Sequence, residues 1–108
     1  MARRQHLLNS SISVQDAAGT TTVYNLVRIV RWDESTLDRT ASIYWELGRI
    51  NGGQWECPSS LHMGVMSYSG SDYDDLLGQS TPAAMEDKVY SDLVMAAHIG
   101  AGTQGNYI

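Results

Sequence analysis

The sequence predicts an α+β fold, in which an antiparallel β-meander of about five strands is followed by one C-terminal amphipathic helix. Residues 11–68 consist of short apolar or alternating segments separated by turn-forming residues, a pattern typical of antiparallel strands. Residues 81–99 show helical periodicity. The flanking residues, 1–10 and 100–108, are predicted to be extended N- and C-terminal arms. The 108 residues therefore form a single domain.

The first predicted element is a β-hairpin. Ser11–Gln15 alternates polar and apolar residues, Asp16–Gly19 supplies turn chemistry, and Thr20–Tyr24 is rich in β-branched residues. The second arm continues through Leu26–Trp32, which is apolar on both faces and predicts a strand covered on both sides. One of those covers could be a neighbouring subunit.

A second hairpin is predicted in the middle of the chain. Ala41–Leu47 places three large apolar side chains on one face of a half-buried strand: Ile43, Trp45 and Leu47. The Asn51–Gly53 segment begins with Asn-Gly, the strongest short hairpin signal, because a type I′ turn needs positive φ at both central residues. The return strand, Gln54–Cys57, must stop near Pro58, which cannot donate to a sheet.

The last predicted strand is weaker, and the only clear helix follows it. Leu61–Tyr68 contains Gly64 in its middle, and Tyr73–Ser80 is predicted to be a loop or a short helical turn. The helix begins with Thr81 as N-cap and Pro82 at its first position. Its apolar stripe consists of Met85, Val89, Leu93, Ala96 and Ala97, widened by Tyr90, Val94 and Ile99, and Gly100 is the expected C-cap.

Composition and charge argue against nucleic acid as the main partner. The net charge is −5, and the basic residues are six arginines and the single Lys88. A domain held by phosphate contacts normally carries a basic face. Nucleic acid is therefore disfavoured, although a local basic face around Arg28, Arg31 and Arg49 would be compatible with the total charge.

Catalytic and metal sites are not expected. Cys57 is the only cysteine, which excludes an internal disulfide and a thiolate zinc cluster, and we interpret it as a small buried residue. The three histidines, at positions 6, 62 and 98, lack ligand or catalytic spacing. Asp72-Tyr73-Asp74-Asp75 could attract a hard cation but lacks the EF-hand frame, so a solvated acidic loop is the preferred interpretation. We therefore expect neither an enzyme nor a cofactor.

The expected location is the cytoplasm. The basic leader, Met1–Gln5, is not followed by the long apolar run of a secretory signal. No segment approaches the roughly 20 apolar residues that a membrane helix needs, so no membrane partner is expected.

Aromatic and arginine side chains on the predicted strands indicate a binding surface. Trp, Tyr and Arg are enriched at the energetic centres of protein interfaces, and aromatics interleaved with arginine can also stack on exposed bases. Because the chain is acidic, protein contacts are the favoured interpretation. The candidate interface residues, which include two from the tail, are Arg28, Arg31, Trp32, Tyr44, Trp45, Arg49, Trp55, Tyr107 and Ile108.

These observations favour a structural assembly protein over an enzyme. The order of elements, with an N-terminal hairpin and antiparallel sheet before C-terminal helix and a short tail, resembles that of small RNA-phage coat proteins. The resemblance implies a virion component, either a capsid coat subunit or a capsid decoration protein, that contacts copies of itself or other virion proteins. The arms are expected to join subunits, so that deleting residues 1–5 or 102–108 would reduce assembly without unfolding the domain.

The alternative is a small acidic inhibitor or adaptor that binds one protein target. Asp72, Asp74 and Asp75 would present carboxylates where that target expects phosphates, as in a nucleic-acid mimic. The two hypotheses differ in oligomeric state, because a shell subunit self-associates and an inhibitor is a defined monomer.

Overall fold

The protein folds into an antiparallel β-sheet with two helices, as seen in a computed structural model that describes residues 4–58 and 63–107. The strands are β1 (Gln5–Gln15), β2 (Thr21–Ser35), β3 (Thr40–Asn51), β4 (Gln54–Glu56), β5 (Met63–Ser69) and β6 (Gly102–Gly105), and the helices are α1 (Ser71–Leu77) and α2 (Pro82–Met95). The predicted α+β class with a largely antiparallel sheet is confirmed. The described residues contain six strands and two helices, so the prediction of a single helix was wrong.

The sheet is ordered β4-β3-β2-β1-β6, and β5 pairs with the side of β3 that β2 leaves free. The molecule is elongated, 49 × 23 × 23 Å, because β2 alone spans 15 residues and its two ends carry hairpins. The β1–β2 and β3–β4 hairpins close at the predicted turns, with Gly19, Gly52 and Gly53 at positive φ.

One face of the sheet packs against both helices and forms the core. Strand β3 buries Ile43 and Leu47 there, as its alternation predicts, and Trp45 packs against the same cluster. The other buried members of the core come from β3 itself, from its neighbours in the sheet and from the two helices: Leu8, Val27, Ala41, Tyr68, Tyr73, Leu76, Val89, Tyr90 and Leu93. The core is therefore a sandwich of one sheet face and one helical layer.

Helix α1 occupies much of the segment that was predicted to be a loop or a short helical turn, and it carries the acidic residues that were interpreted as a solvated loop. It packs because Tyr73 and Leu76, three residues apart, lie on the same side of a helix and are both buried. The acidic residues Asp72 and Asp75 remain exposed on the other side, and Asp74 forms an ion pair with Arg39.

Helix α2 begins as predicted but ends earlier. The Thr81 hydroxyl accepts a hydrogen bond from the backbone N–H of Ala84 at 3.0 Å, which confirms Thr81 as the N-cap. The helix stops at Met95 because Ala97 takes a left-handed conformation, φ 60°, and the N–H of His98 donates to the carbonyl of Leu93. Gly100 is therefore not the C-cap, and Ala96 and Ala97, predicted to be part of the apolar stripe, are exposed.

Part of each predicted terminal arm is a strand of the sheet, residues 5–10 in β1 and residues 102–105 in β6. Residues 5–8 of β1 pair with residues 105–102 of β6, so the two ends of the chain hold each other. The buried His6 ring lies in this seam, with Nε2 donating to the Gly100 carbonyl at 2.9 Å and Nδ1 accepting from the Gln104 amide at 2.7 Å. Deleting residues 1–5 or 102–108 would remove part of this pairing, so we now expect these deletions to weaken the sheet at its β1–β6 edge as well.

Gly102 provides a test of the terminal seam. A Cβ at position 102 would overlap the Leu7 carbonyl oxygen and lie 2.9 Å from Nε2 of His6, so we expect Gly102→Ala to displace β6. The expected cost is about 2 kcal/mol of unfolding free energy, with faster hydrogen exchange at residues 102–105.

The matched control for this test is Gly100→Ala, whose added Cβ meets only Cδ2 of Leu8 at 3.7 Å, an ordinary contact. The measurement is urea denaturation combined with hydrogen exchange. Equal stabilities of the two variants would show that β6 is not packed as described.

Candidate functional site

The face of the sheet opposite the helices is the candidate site, and we call it the open face. The strand register defines it in three rows that cross β2, β3 and β5. The rows are Arg28–Glu46–Met63, Arg31–Tyr44–Val65 and Asp33–Ser42–Ser67. Side chains in alternate positions, such as Val27, Ile43 and Leu47, point to the helices instead.

A β-bulge places two arginines on this face together. Ile29 pairs with Trp45 and Arg31 pairs with Tyr44, so Val30 is an extra residue in β2. Without the bulge, Arg28 and Arg31 would lie on opposite faces, because their separation is odd and side chains alternate. The bulge therefore puts both on the open face.

Arg28 is held between a carboxylate and an indole. Its Nε and Nη2 donate to Oε1 of Glu46 at 2.9 and 2.7 Å, and its guanidinium lies 4.3 Å from the ring centre of Trp55. The Trp55 ring lies over Gly48, where any Cβ would overlap it. Because Glu46 is 6% exposed, this ion pair is partly removed from water and fixes Arg28 in one position.

Arg31 and Tyr44 form the exposed middle of the open face. The Arg31 Nε donates to Oδ2 of Asp33 at 2.8 Å, and this hydrogen bond raises the pKa of the Arg31 guanidinium further above its ordinary value. The guanidinium also lies 5.5 Å from the Tyr44 ring centre. Tyr44 is 37% exposed and pairs directly with Val65, which is 47% exposed.

Arg49 lies near the β3–β4 hairpin and is also paired. Its Nε donates to Oε1 of Glu56 at 2.7 Å, and its guanidinium is 5.9 Å from the Tyr24 ring centre. Hydrogen bonds from Arg49 and then from Asn51 hold the pKa of Glu56 below its ordinary value. The hairpin therefore carries a closed polar network.

Arg49 and the remaining interface candidates do not lie on the open face, because Arg49 shares the side of β3 that carries Trp45 and Leu47. Trp32 pairs with Ile43 on the helix-facing side, and Trp45 packs there too, with its ring centre 6.5 Å from that of His98. Tyr107 folds back onto the tail, where its hydroxyl donates to the Thr103 carbonyl at 3.0 Å. Ile108 lies outside the described residues. Trp32 and Trp45 are therefore partly buried against the core, and their role as interface residues stays a prediction.

Each arginine in the described ranges has a carboxylate partner. The pairs are Arg4–Asp87, Arg28–Glu46, Arg31–Asp33, Arg39–Asp74 and Arg49–Glu56. The Nζ of Lys88 lies 3.3 Å from Oδ2 of Asp92. A phosphate would have to compete with these carboxylates for the same donors. The arrangement weakens any attraction of the open face for nucleic acid.

Sequence reasoning missed the exposed apolar residues of β5. Met63 and Val65 are 46% and 47% exposed and belong to the open face. Met63 and Val65 alternate with Gly64 and Met66 in the sequence, which indicates that the two side chains share one face of a strand. The alternation does not show which face of the sheet is open or that β5 lies at an edge. Among residues 4–58 and 63–107, only β3 pairs with β5.

A cavity of about 360 Å³ lies on the helix side of β5. Apolar atoms of Met66, Met95 and Ala96 line it, together with the charged groups of Asp72, Asp75, Lys88 and Asp92. Tyr68 closes part of it, because its hydroxyl donates to Oδ2 of Asp92 at 2.7 Å. Met95, at the end of α2, is 85% exposed beside this cavity.

Other chemical candidates are dispersed. His6 lies in the β1–β6 seam and His98 beside Trp45, while His62 falls outside the described residues. In the described part of the chain, no three His, Cys, Asp or Glu side chains are grouped so as to hold a metal ion. No helix within that part is both long and apolar enough to cross a bilayer.

Comparison with protein-family models, curated proteins and solved structures finds no match for this chain.

Proposed function

We propose that this chain is a structural assembly protein, specifically a virion component that acts as a capsid coat subunit or decoration protein through protein–protein contacts. The observation that carries the proposal is the open face, where the apolar atoms of Tyr44, Met63 and Val65 are exposed between ion-paired arginines. Interfaces combine apolar and aromatic centres with a polar rim in this way.

Two further features support an assembly role. The helices cover only one face, so the chain forms a layer one sheet and one helix deep that leaves its second face free for contacts. The neutralised arginines favour protein over nucleic acid as the partner. The narrower part of the proposal, that the assembly is a virion, rests on the order of elements alone.

The test of this function is the oligomeric state of the purified chain. We expect light scattering after size exclusion to detect oligomers whose fraction grows with concentration, and electron microscopy to show closed particles when the chain is concentrated. A monomer at every concentration would contradict the proposal and favour the acidic inhibitor. Tight RNA binding that weakens steeply with salt would point instead to phosphate contacts.

A single substitution tests the open face itself. Tyr44→Glu places a charge at its exposed centre, next to Arg31, where the fold can accommodate a carboxylate. We expect the apparent association constant to fall at least about tenfold while unfolding free energy changes by less than about 1 kcal/mol.

The matched control is Thr36→Glu in the exposed β2–β3 turn, which adds the same charge away from the open face. We expect it to assemble like the original chain. If both variants assemble equally well by light scattering, the open face is not an assembly surface.

A further inference from the structure

Two carboxylates of helix α1 differ from every other carboxylate in the described part of the chain. The sequence contains twelve Asp and Glu residues. Six of them bind an arginine or lysine, three accept hydrogen bonds from hydroxyl or backbone N–H groups, and Glu86 is engaged as well. Within residues 4–58 and 63–107, only the carboxylates of Asp72 and Asp75 have neither an ion pair nor a hydrogen bond.

Both of these carboxylates belong to the cavity on the helix side of β5. Asp72 and Asp75 line it, and because they are three positions apart they lie on the same side of α1. Asp74 does not line the cavity and is paired with Arg39 instead. Helix α1 therefore neutralises the acidic residue that lies away from the cavity and leaves the two at the cavity without a cation.

The same cavity has apolar walls. Met66 of β5 and the end of α2, with Met95 and Ala96, contribute them. Methionine side chains are unbranched and adapt to the shape of what they contact, and Met95 is 85% exposed, so its position is not fixed by the core. The volume of about 360 Å³ lies in the range of small-molecule sites, roughly 300–1,000 Å³.

The cavity has a surplus of negative charge. Its only lining cation, Lys88, lies 3.3 Å from Asp92, which also accepts a hydrogen bond from the Tyr68 hydroxyl. This pair is neutral, so Asp72 and Asp75 leave two uncompensated charges. A bare metal ion would leave the apolar walls unused, and a neutral apolar ligand would leave the carboxylates unpaired. A ligand that satisfies both has a positive charge at the end of a carbon chain.

We infer that this cavity binds a free aliphatic amine, whose ammonium donates to Asp72 and Asp75 and whose carbon chain lies against Met66 and Met95. An ammonium has three N–H donors, enough for both carboxylates, and such charge-assisted hydrogen bonds are the stronger kind. The carbon chain gains by leaving water for the methionine side chains. This binding function goes beyond the proposed assembly role and does not depend on it.

Ligand-observed saturation-transfer NMR tests the inference, because it works for a monomer and for a large particle alike. The probe is pentylamine, and two further probes separate its parts: methylamine has the charge without the chain, and pentanol has the chain without the charge. We expect saturable binding of pentylamine and at least about tenfold weaker binding of the other two.

A double substitution locates the site. Asp72→Asn with Asp75→Asn removes both charges at exposed positions and keeps the shape of the side chains, so we expect pentylamine to bind at least about tenfold more weakly. The matched control is Asp16→Asn with Asp38→Asn, which removes the same charge from two exposed turns, where an amide oxygen can still accept the local hydrogen bonds. The control should bind pentylamine like the original chain. Circular dichroism confirms that each variant is folded.

A third variant tests the apolar wall. Met95→Ser changes an exposed side chain without changing the charge, and we expect it to weaken the binding of pentylamine about threefold or more while the binding of methylamine stays the same.

Four results would overturn the inference. Equal binding of methylamine and pentylamine would mean that the acidic chain only attracts counterions, and so would an equal loss in the Asp16 and Asp38 control. Unchanged binding after Asp72 and Asp75 are replaced would place the amine elsewhere. Tighter binding of a blocked tripeptide with lysine at its centre, by about tenfold or more, would make a partner protein's lysine the occupant. The oligomeric state of the chain affects none of these results, so they are independent of the proposed assembly function.

Discussion

Replacing Trp45 by alanine is expected to lower the free energy of unfolding by about 3–5 kcal/mol. The indole packs against the buried cluster that contains Ile43 and Leu47, and it lies so close to Gly64 that a Cβ there would be 2.6 Å from the ring. Removing the ring would therefore leave a cavity on the helix side of β3 and β5 that the rigid sheet cannot close. Urea denaturation measures this loss, and we expect the m-value to stay unchanged.

The control for Trp45 is its neighbour. Tyr44→Ala removes an aromatic ring from the opposite face of the same strand, where the side chain is 37% exposed and contacts Arg31. We expect a loss below about 1 kcal/mol. A loss below about 1 kcal/mol for Trp45→Ala as well would mean that Trp45 belongs to the surface and not to the core.

Short-range patterns predicted the middle of the fold. The period-two alternation of β3 identified Ile43, Trp45 and Leu47 as one face, and the Asn-Gly pair located the turn that follows. Thr81-Pro82 located the start of α2. Each of these signals lies within a few residues, where backbone geometry and alternation decide the outcome.

Long-range pairing was outside the reach of such patterns. The glycine-rich tail has the composition of a free arm, and its role as β6 depends on residues 5–8, almost a full chain length away. Local sequence patterns do not predict a β-bulge either, and the bulge at Val30 places Arg28 and Arg31 on the same face of the sheet. Residue type suggested an interface for Trp32 and Trp45, but only the register shows which face a strand residue occupies.

The ion pair of Arg28 on the open face also depends on the strand register. Arg28 and Glu46 are 18 positions apart and meet only because β2 and β3 pair as they do. The sequence indicated the overall acidic balance, and from it the preference for protein partners. The structure adds a reason for this preference: each described arginine already binds a carboxylate, so its N–H donors are engaged.

Alkaline pH is expected to destabilise the protein steeply because two tyrosines are buried as neutral hydroxyls. Burial, and then the hydrogen bond to Asp92, raise the pKa of Tyr68 above its ordinary range. Burial is also the main cause that raises the pKa of Tyr90, whose hydroxyl donates to the Arg4 carbonyl at 2.8 Å and accepts from the N–H of Ile29. The folded state therefore resists ionisation at both positions.

Stability falls with rising pH because both tyrosines have a higher pKa in the folded chain than in the unfolded chain. Below the unfolded pKa of about 10, both states keep the proton and the contribution of the tyrosines to stability is complete. Above it, the unfolded chain releases protons that the folded chain retains, so the free energy of unfolding falls by up to about 1.4 kcal/mol per pH unit for each group. Two groups give a slope of up to about 2.7 kcal/mol per pH unit.

Urea denaturation at a series of pH values above about 10 measures this slope, and tyrosinate absorbance shows whether ionisation coincides with unfolding.

Tyr90→Phe should remove about half of the slope and also cost about 1–3 kcal/mol at neutral pH, because the Arg4 carbonyl and the Ile29 N–H lose their partner. An unchanged slope after Tyr68 and Tyr90 are both replaced by phenylalanine would show that these hydroxyls are not the groups that titrate on unfolding.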